Sequence, residues 1–148
     1  MKKLFFIIFS CVISFSLFAQ CKAKPIVNIC MPSLAPYQYD SYAVKEIIYG
    51  TKIKKEIIEF SVYSGEEYKL VFGQTVLPQT INITIYDRNP KRKDRKIIYF
   101  DESAKKDKFV CSFQPTETGV YFIEYEIPVA TAANQKGCFV VLIGVKEG

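Results

Sequence analysis

The 148-residue chain contains no histidine. That removes the commonest general base and the commonest zinc ligand, so neither a catalytic residue nor a metal ligand set is expected. There is no Cys-x-x-Cys pair, which argues against a redox enzyme of thioredoxin type. A calcium loop would need clustered Asp and Asn without lysines beside them, and none is present. No helical period and no internal repeat are visible beyond the leader, and no cofactor is implied. Long apolar runs are also scarce. The one that exists, Leu4–Phe18, follows Met1-Lys2-Lys3 and ends at Ala19. It is shorter than the roughly 20 residues a membrane span needs, and its flanks read as a signal peptide, residues 1–19, cleaved before Gln20. A retained N-terminal anchor is the other reading. After cleavage no transmembrane span is expected, and the protein should be extracytoplasmic: periplasmic or secreted, or associated with the envelope.

Cleavage removes two lysines and lowers the net charge from +5 to +3. Such mild basicity gives no reason to invoke nucleic acid. With Cys11 in the leader, Cys21, Cys30, Cys111 and Cys138 remain, and an even count in an exported chain reads as two disulfides. The simplest pairing is local, Cys21–Cys30 with Cys111–Cys138; another ties the N-terminal arm to the sheet through Cys30–Cys138. Cys21 also stands where a bacterial lipoprotein carries its acylated cysteine, although Gln20 is larger than the residue expected before it.

Residues 20–41 hold three prolines and no sustained period, and read as an irregular arm laid over a domain of residues 42–148. Strand alternation runs through Tyr42–Ile48, Lys55–Tyr63, Glu67–Phe72, Ile81–Asp87, Lys96–Phe100, Lys108–Phe113, Gly119–Ile127 and Cys138–Val145. Ser64-Gly65 reads as a hairpin, and Gly119 as a residue that ends its turn at positive φ. About eight strands with turns every eight to twelve residues predict an all-β, antiparallel sandwich, jelly-roll-like or Ig-like. Cys138–Val145 differs from the others because both faces are apolar: Val140 and Leu142 on one, Phe139, Val141 and Ile143 on the other. An antiparallel strand usually shows water a polar face, so this one needs a cover. The arm is the expected cover; a partner or self-association surface is the alternative.

The order Tyr68-Lys69-Leu70-Val71-Phe72, Ile83-Thr84-Ile85-Tyr86-Asp87, Phe113 to Tyr121 with Gly119, and Gly137-Cys138-Phe139-Val140-Val141 resembles the bacterial pre-peptidase C-terminal domain. The chain after residue 19 is also similar to small, uncharacterised exported β-sandwich proteins of Gram-negative bacteria that share the Tyr-Glu-Ile-Pro and Gly-Cys patterns. The resemblance spans roughly residues 63–145 and implies a non-catalytic accessory or binding module. No protease domain precedes it here, unlike the pre-peptidase setting.

Three groups could carry function. Arg88, Lys91, Arg92, Lys93, Arg95 and Lys96 crowd one turn and could bind anions such as lipopolysaccharide phosphates or an acidic polysaccharide, or simply keep a sheet edge soluble. Tyr37, Tyr39 and Tyr42 could stack on sugars, or pack along a strand. Asp101-Glu102 and Glu124/Glu126 are carboxylate pairs. The latter lie about 7 Å apart along one strand face, beyond the retaining glycosidase spacing and near the lower end of the inverting one, but a convex sheet face offers no cleft. Asn82-Ile83-Thr84 matches a glycosylation sequon in mid-strand and is set aside. The reading is an exported, non-catalytic binding or structural module of the bacterial envelope, with a glycan or protein as partner. An envelope lipoprotein acylated at Cys21 and a carboxylate-dependent hydrolase are the alternatives.

Overall fold

The computed structural model describes residues 21–74, 77–101 and 108–147. The leader 1–19 with Cys11, Gln20 and Glu102 lie outside the described residues. A helix, α1 (Ala23–Cys30), and a short 3-10 turn (Met31–Leu34) precede eight strands. These are β1 (Gln38–Ile48), β2 (Lys54–Val62), β3 (Glu66–Gly73), β4 (Asn82–Tyr86), β5 (Ile97–Asp101), β6 (Lys108–Phe113), β7 (Gly119–Ile127) and β8 (Lys136–Glu147). They form two four-stranded antiparallel sheets, ordered β1-β8-β3-β6 and β2-β7-β4-β5. The sandwich expected from alternation is the fold observed.

Alternation sorts side chains to two faces, and the register locks them there. Ile58, Phe60 and Val62 of β2, Ile83 and Ile85 of β4, and Tyr121, Ile123, Tyr125 and Ile127 of β7 face Tyr68, Leu70 and Phe72 of β3 and Phe139, Val141 and Ile143 of β8 in one buried core. Aromatic rings fill its middle: Phe72 stacks on Phe109 at 4.4 Å between centroids, and Phe113 on Tyr121 at 5.6 Å. At the β3–β4 crossing the buried Gln74 accepts from the Ile81 amide at 2.9 Å, which satisfies backbone that no strand reaches.

Two local expectations change. Ser64-Gly65 does turn the chain, with Gly65 at φ 94, but β2 and β3 belong to opposite sheets. The turn is an arch between sheets and not a hairpin. Gly119 does not take positive φ; it opens β7.

The arm is not irregular. Ile26 and Cys30 of α1, followed by Leu34, recur at helical spacing and bury one stripe against Val71, Cys138, Val140 and Leu142. The arm is therefore the cover for the second apolar face of β8. Pro25 is tolerated because it sits in the first turn, where backbone N–H groups have no intrahelical acceptor. The fit is close at two glycines. A Cβ on Gly73 would lie 2.5 Å from Ile26 Cγ2, and one on Gly144 would lie 2.9 Å from Leu34 Cδ2.

The cysteines pair differently from either expectation. Cys21 is joined to Cys138, with Cα atoms 5.4 Å apart, so the first described residue is tied to the head of β8. Cys30 lies among the arm contacts and Cys111 in the inter-sheet core. Sheet β1-β8-β3-β6 stands between their thiols, so they form no second disulfide. While its sulfur is bonded to Cys138, Cys21 has no valence left for a thioether-linked lipid. Among the described residues no helix is long and apolar enough to cross a membrane.

Candidate functional site

Where the sheets end at β1 and β2, they leave a groove of about 480 Å³. Its cause is local. The register sets Ser41 opposite Ile143 and Ala43 opposite Val141, so both face inward. Two small side chains on an edge strand cannot fill the gap that Ile58 and Phe60 face from β2. The floor is Ile58, Phe60, Tyr68, Ile143 and Val145, and Asp40, Tyr42, Glu59, Tyr63 and Glu66 border it. Among the described residues, each wall is an edge strand with a neighbour on one side only.

At one end of the groove, Tyr68 is 3% exposed. Its hydroxyl donates to Glu66 Oε2 at 2.5 Å and accepts from the Tyr63 amide at 3.0 Å. Burial, then the Glu66 hydrogen bond and charge, push its pKa up to about 12, with Asp40 adding to the effect. The hydroxyl is thus a fixed donor that orients Glu66. Asp40 accepts from Ser41 Oγ at 2.7 Å.

The predicted tyrosines do not form one platform. Tyr37 donates to Glu67 Oε2 at 3.1 Å, and Lys69 Nζ sits 4.7 Å from its ring centroid. Tyr39 and Tyr42 are 46% and 51% exposed, and of the three only Tyr42 borders the groove.

The basic turn joins β4 to β5 and is largely occupied with itself. Asp94 accepts from Arg88 Nη1 at 2.5 Å and from Arg92 Nε at 2.8 Å. The Arg92 hydrogen bonds, with help from Arg88, hold the Asp94 carboxyl well below the usual carboxylate range. Arg95 donates to the Arg92 carbonyl and lies over the Tyr86 ring. Asp87 takes the Lys96 amide at 2.6 Å. Lys91 and Lys93 remain exposed, with no ion pair among the described residues.

The carboxylate pair fares similarly. Lys55 Nζ lies 3.1 Å from Glu124 and 3.5 Å from Glu126, on the outer face of the second sheet. A shallow depression of about 280 Å³ opens there, lined also by Asn82, Thr84, Tyr86 and Ile97, and the single Lys55 ammonium compensates both carboxylates in it. The side chain of Asp101 is not described, and Glu102 lies outside the described residues. Among the described residues no group of acids and cysteines could hold a metal.

No protein-family model matches the chain, and no curated protein does. The resemblance to the pre-peptidase C-terminal domain therefore has no family-level support. Solved structures do match. The crystal structure of PliG from Aeromonas hydrophila, a periplasmic lysozyme inhibitor of g-type lysozyme, aligns with a TM-score of 0.51 at 8% identity, over 74% of this chain and 88% of that one. A structure of the Gt strain of infectious bursal disease virus aligns at 0.42 and 11% identity, over 76% of this chain and 32% of that chain. With PliG, what is shared is the fold.

Alternation could not reveal the groove, because it does not say which strands become edges. The available signal was Ser41 and Ala43, two small residues at inward positions of β1.

Proposed function

We propose that the protein is an exported, non-catalytic binding module of the bacterial envelope that docks another protein in the β1–β2 groove. The observation that carries this reading is the groove itself: an apolar floor walled by two edge strands, whose backbone groups can pair with an incoming chain. The Cys21–Cys138 disulfide suits an oxidising compartment, and the leader-like residues 1–19 suit export. PliG, which shares the fold, is a periplasmic inhibitor of g-type lysozyme, so the scaffold is compatible with protein recognition. An envelope glycan is less well served, since Tyr37 is engaged by Glu67 and Lys69.

Photo-cross-linking in intact cells tests this. A benzophenone amino acid placed at Ala43 should yield a discrete protein adduct, whereas one placed at Glu124, on the far sheet, should not. Equal yields from both positions, or none from Ala43, would overturn the reading. A g-type lysozyme is the first purified partner to try: added protein should slow its lysis of cell walls, and Ala43→Trp, which fills the groove, should restore the rate.

A further inference from the structure

We infer that the β1–β2 groove selects a cationic extended segment of its partner, a strand carrying lysine or arginine. The inference rests on the docking reading and adds to it the chemistry of the occupant.

Charge on the groove opposes charge on the chain. The protein is basic, at +5, yet the charged residues lining the groove are Asp40, Glu59 and Glu66, with no lysine or arginine among the lining residues. Most other strand acids are paired, with Glu147 at the end of β8 an exception. Glu46, Glu56, Glu67, Glu124 and Glu126 each have a lysine in ion-pair contact. Asp40, Glu59 and Glu66 have none among the described residues. Asp40 and Glu66 accept only neutral hydroxyl donors, from Ser41 and Tyr68. Three carboxylates left without counter-charge around an apolar depression are complementary to ammonium or guanidinium groups on an apolar stem.

Shape limits the occupant to an extended chain. The walls contribute Asp40–Ala43 from β1 and Ile58–Ser61 from β2, a length of about 13 Å at the rise of a strand. An added strand would pair with either edge and alternate its side chains. Apolar ones would reach the floor formed by Phe60, Tyr68 and Ile143, while basic ones lay along the rim. The competing occupant is a second copy's Arg88–Lys96 turn. It fits less well by shape, because the chain turns there instead of running extended, although its Lys91 and Lys93 are exposed without an ion pair among the described residues.

The test uses three labelled strand peptides that alternate valine with lysine, with serine or with glutamate. Binding is followed by fluorescence anisotropy at low and physiological salt, and located by amide NMR shifts at Ala43 and Ser61. The lysine peptide should bind about tenfold more tightly than the serine peptide and weaken as salt rises. The combined Asp40→Asn, Glu59→Gln and Glu66→Gln protein should erase that preference while keeping its melting curve, since glutamine at position 66 still accepts from Tyr68. If all three peptides bind alike and shift Ala43, the charge inference falls and the docking reading stands. Shifts confined to other surfaces would overturn both. Failure of every peptide would overturn the inference, and the cross-linking at Ala43 would then judge the docking reading by itself. A concentration-dependent dimer, lost in the neutralised protein, would overturn it in favour of a second copy.

Discussion

Tyr68 and Cys111 hold their protons for the same reason: each would ionise inside the sandwich, where an anion loses its hydration. Burial lifts both to about 12, from 10.0 for the phenol and 9.0 for the thiol. Tyr125 is raised too, by burial and by its hydrogen bond to Glu56. The charged form of each group is the deprotonated one, so the folded state keeps a proton that the unfolded chain releases. Their contribution to stability is complete below about pH 9 and is lost as pH climbs from there towards about 12. The urea midpoint should be level near neutrality and decline above about pH 9; a midpoint still level at about pH 11 would contradict this burial. Glycine supplies a second prediction at this scale. Gly73→Ala would put a methyl 2.5 Å from Ile26 Cγ2 and 2.9 Å from Cys30 Sγ, and should cost about 1–3 kcal/mol in urea unfolding. Gly50→Ala, with nothing within 4 Å of the new methyl, is the control and should change little. A glycine ending a strand can mark a close backbone approach. At Gly73 that mark stood just past Phe72, where alternation was taken to stop.

Helix α1 shows why some elements were legible and others were not. The strands announced themselves through alternation over five to twelve residues, long enough for the period to be counted. Eight residues of α1 give two buried positions, Ile26 and Cys30, too few to establish a period. The usual start signals are missing as well: Lys22 makes no side-chain cap, and no acid lies in the first turn. This helix exists because of what it covers and because Cys21 is bonded to Cys138. Cutting that bond by Cys21→Ser should cost about 2–5 kcal/mol. It should also expose Cys30 to alkylation under native conditions while Cys111 stays shielded until the sandwich unfolds. Mass spectrometry after an iodoacetamide pulse would show the order; simultaneous labelling of both thiols would mean that arm and sandwich open as one unit. The pairing itself could not have been read from spacing. It depends on which face of sheet β1-β8-β3-β6 each thiol occupies, and alternation does not say where the arm runs.

On the scale of the whole molecule, the groove follows from an imbalance between the two open sides of the sandwich. On the β1–β2 side, small inward residues and uncompensated acids leave a depression. Elsewhere on the strands, Glu46, Glu56, Glu67, Glu124 and Glu126 are matched to lysines and the core is filled by stacked rings. None of that is local, so the sequence could announce a sandwich without announcing its site. Strand β8 has the widest reach. It lies between β1 and β3, carries the surface on which α1 rests and supplies one half of the disulfide. It also comes after α1 and β1 in sequence. Until it emerges, β1 lacks the strand it pairs with and α1 lacks a bed, so residues 21–48 have no folded form of their own to adopt. That segment stays threadable until β8 has been made, which is the condition it must meet to pass through a translocation pore before it folds.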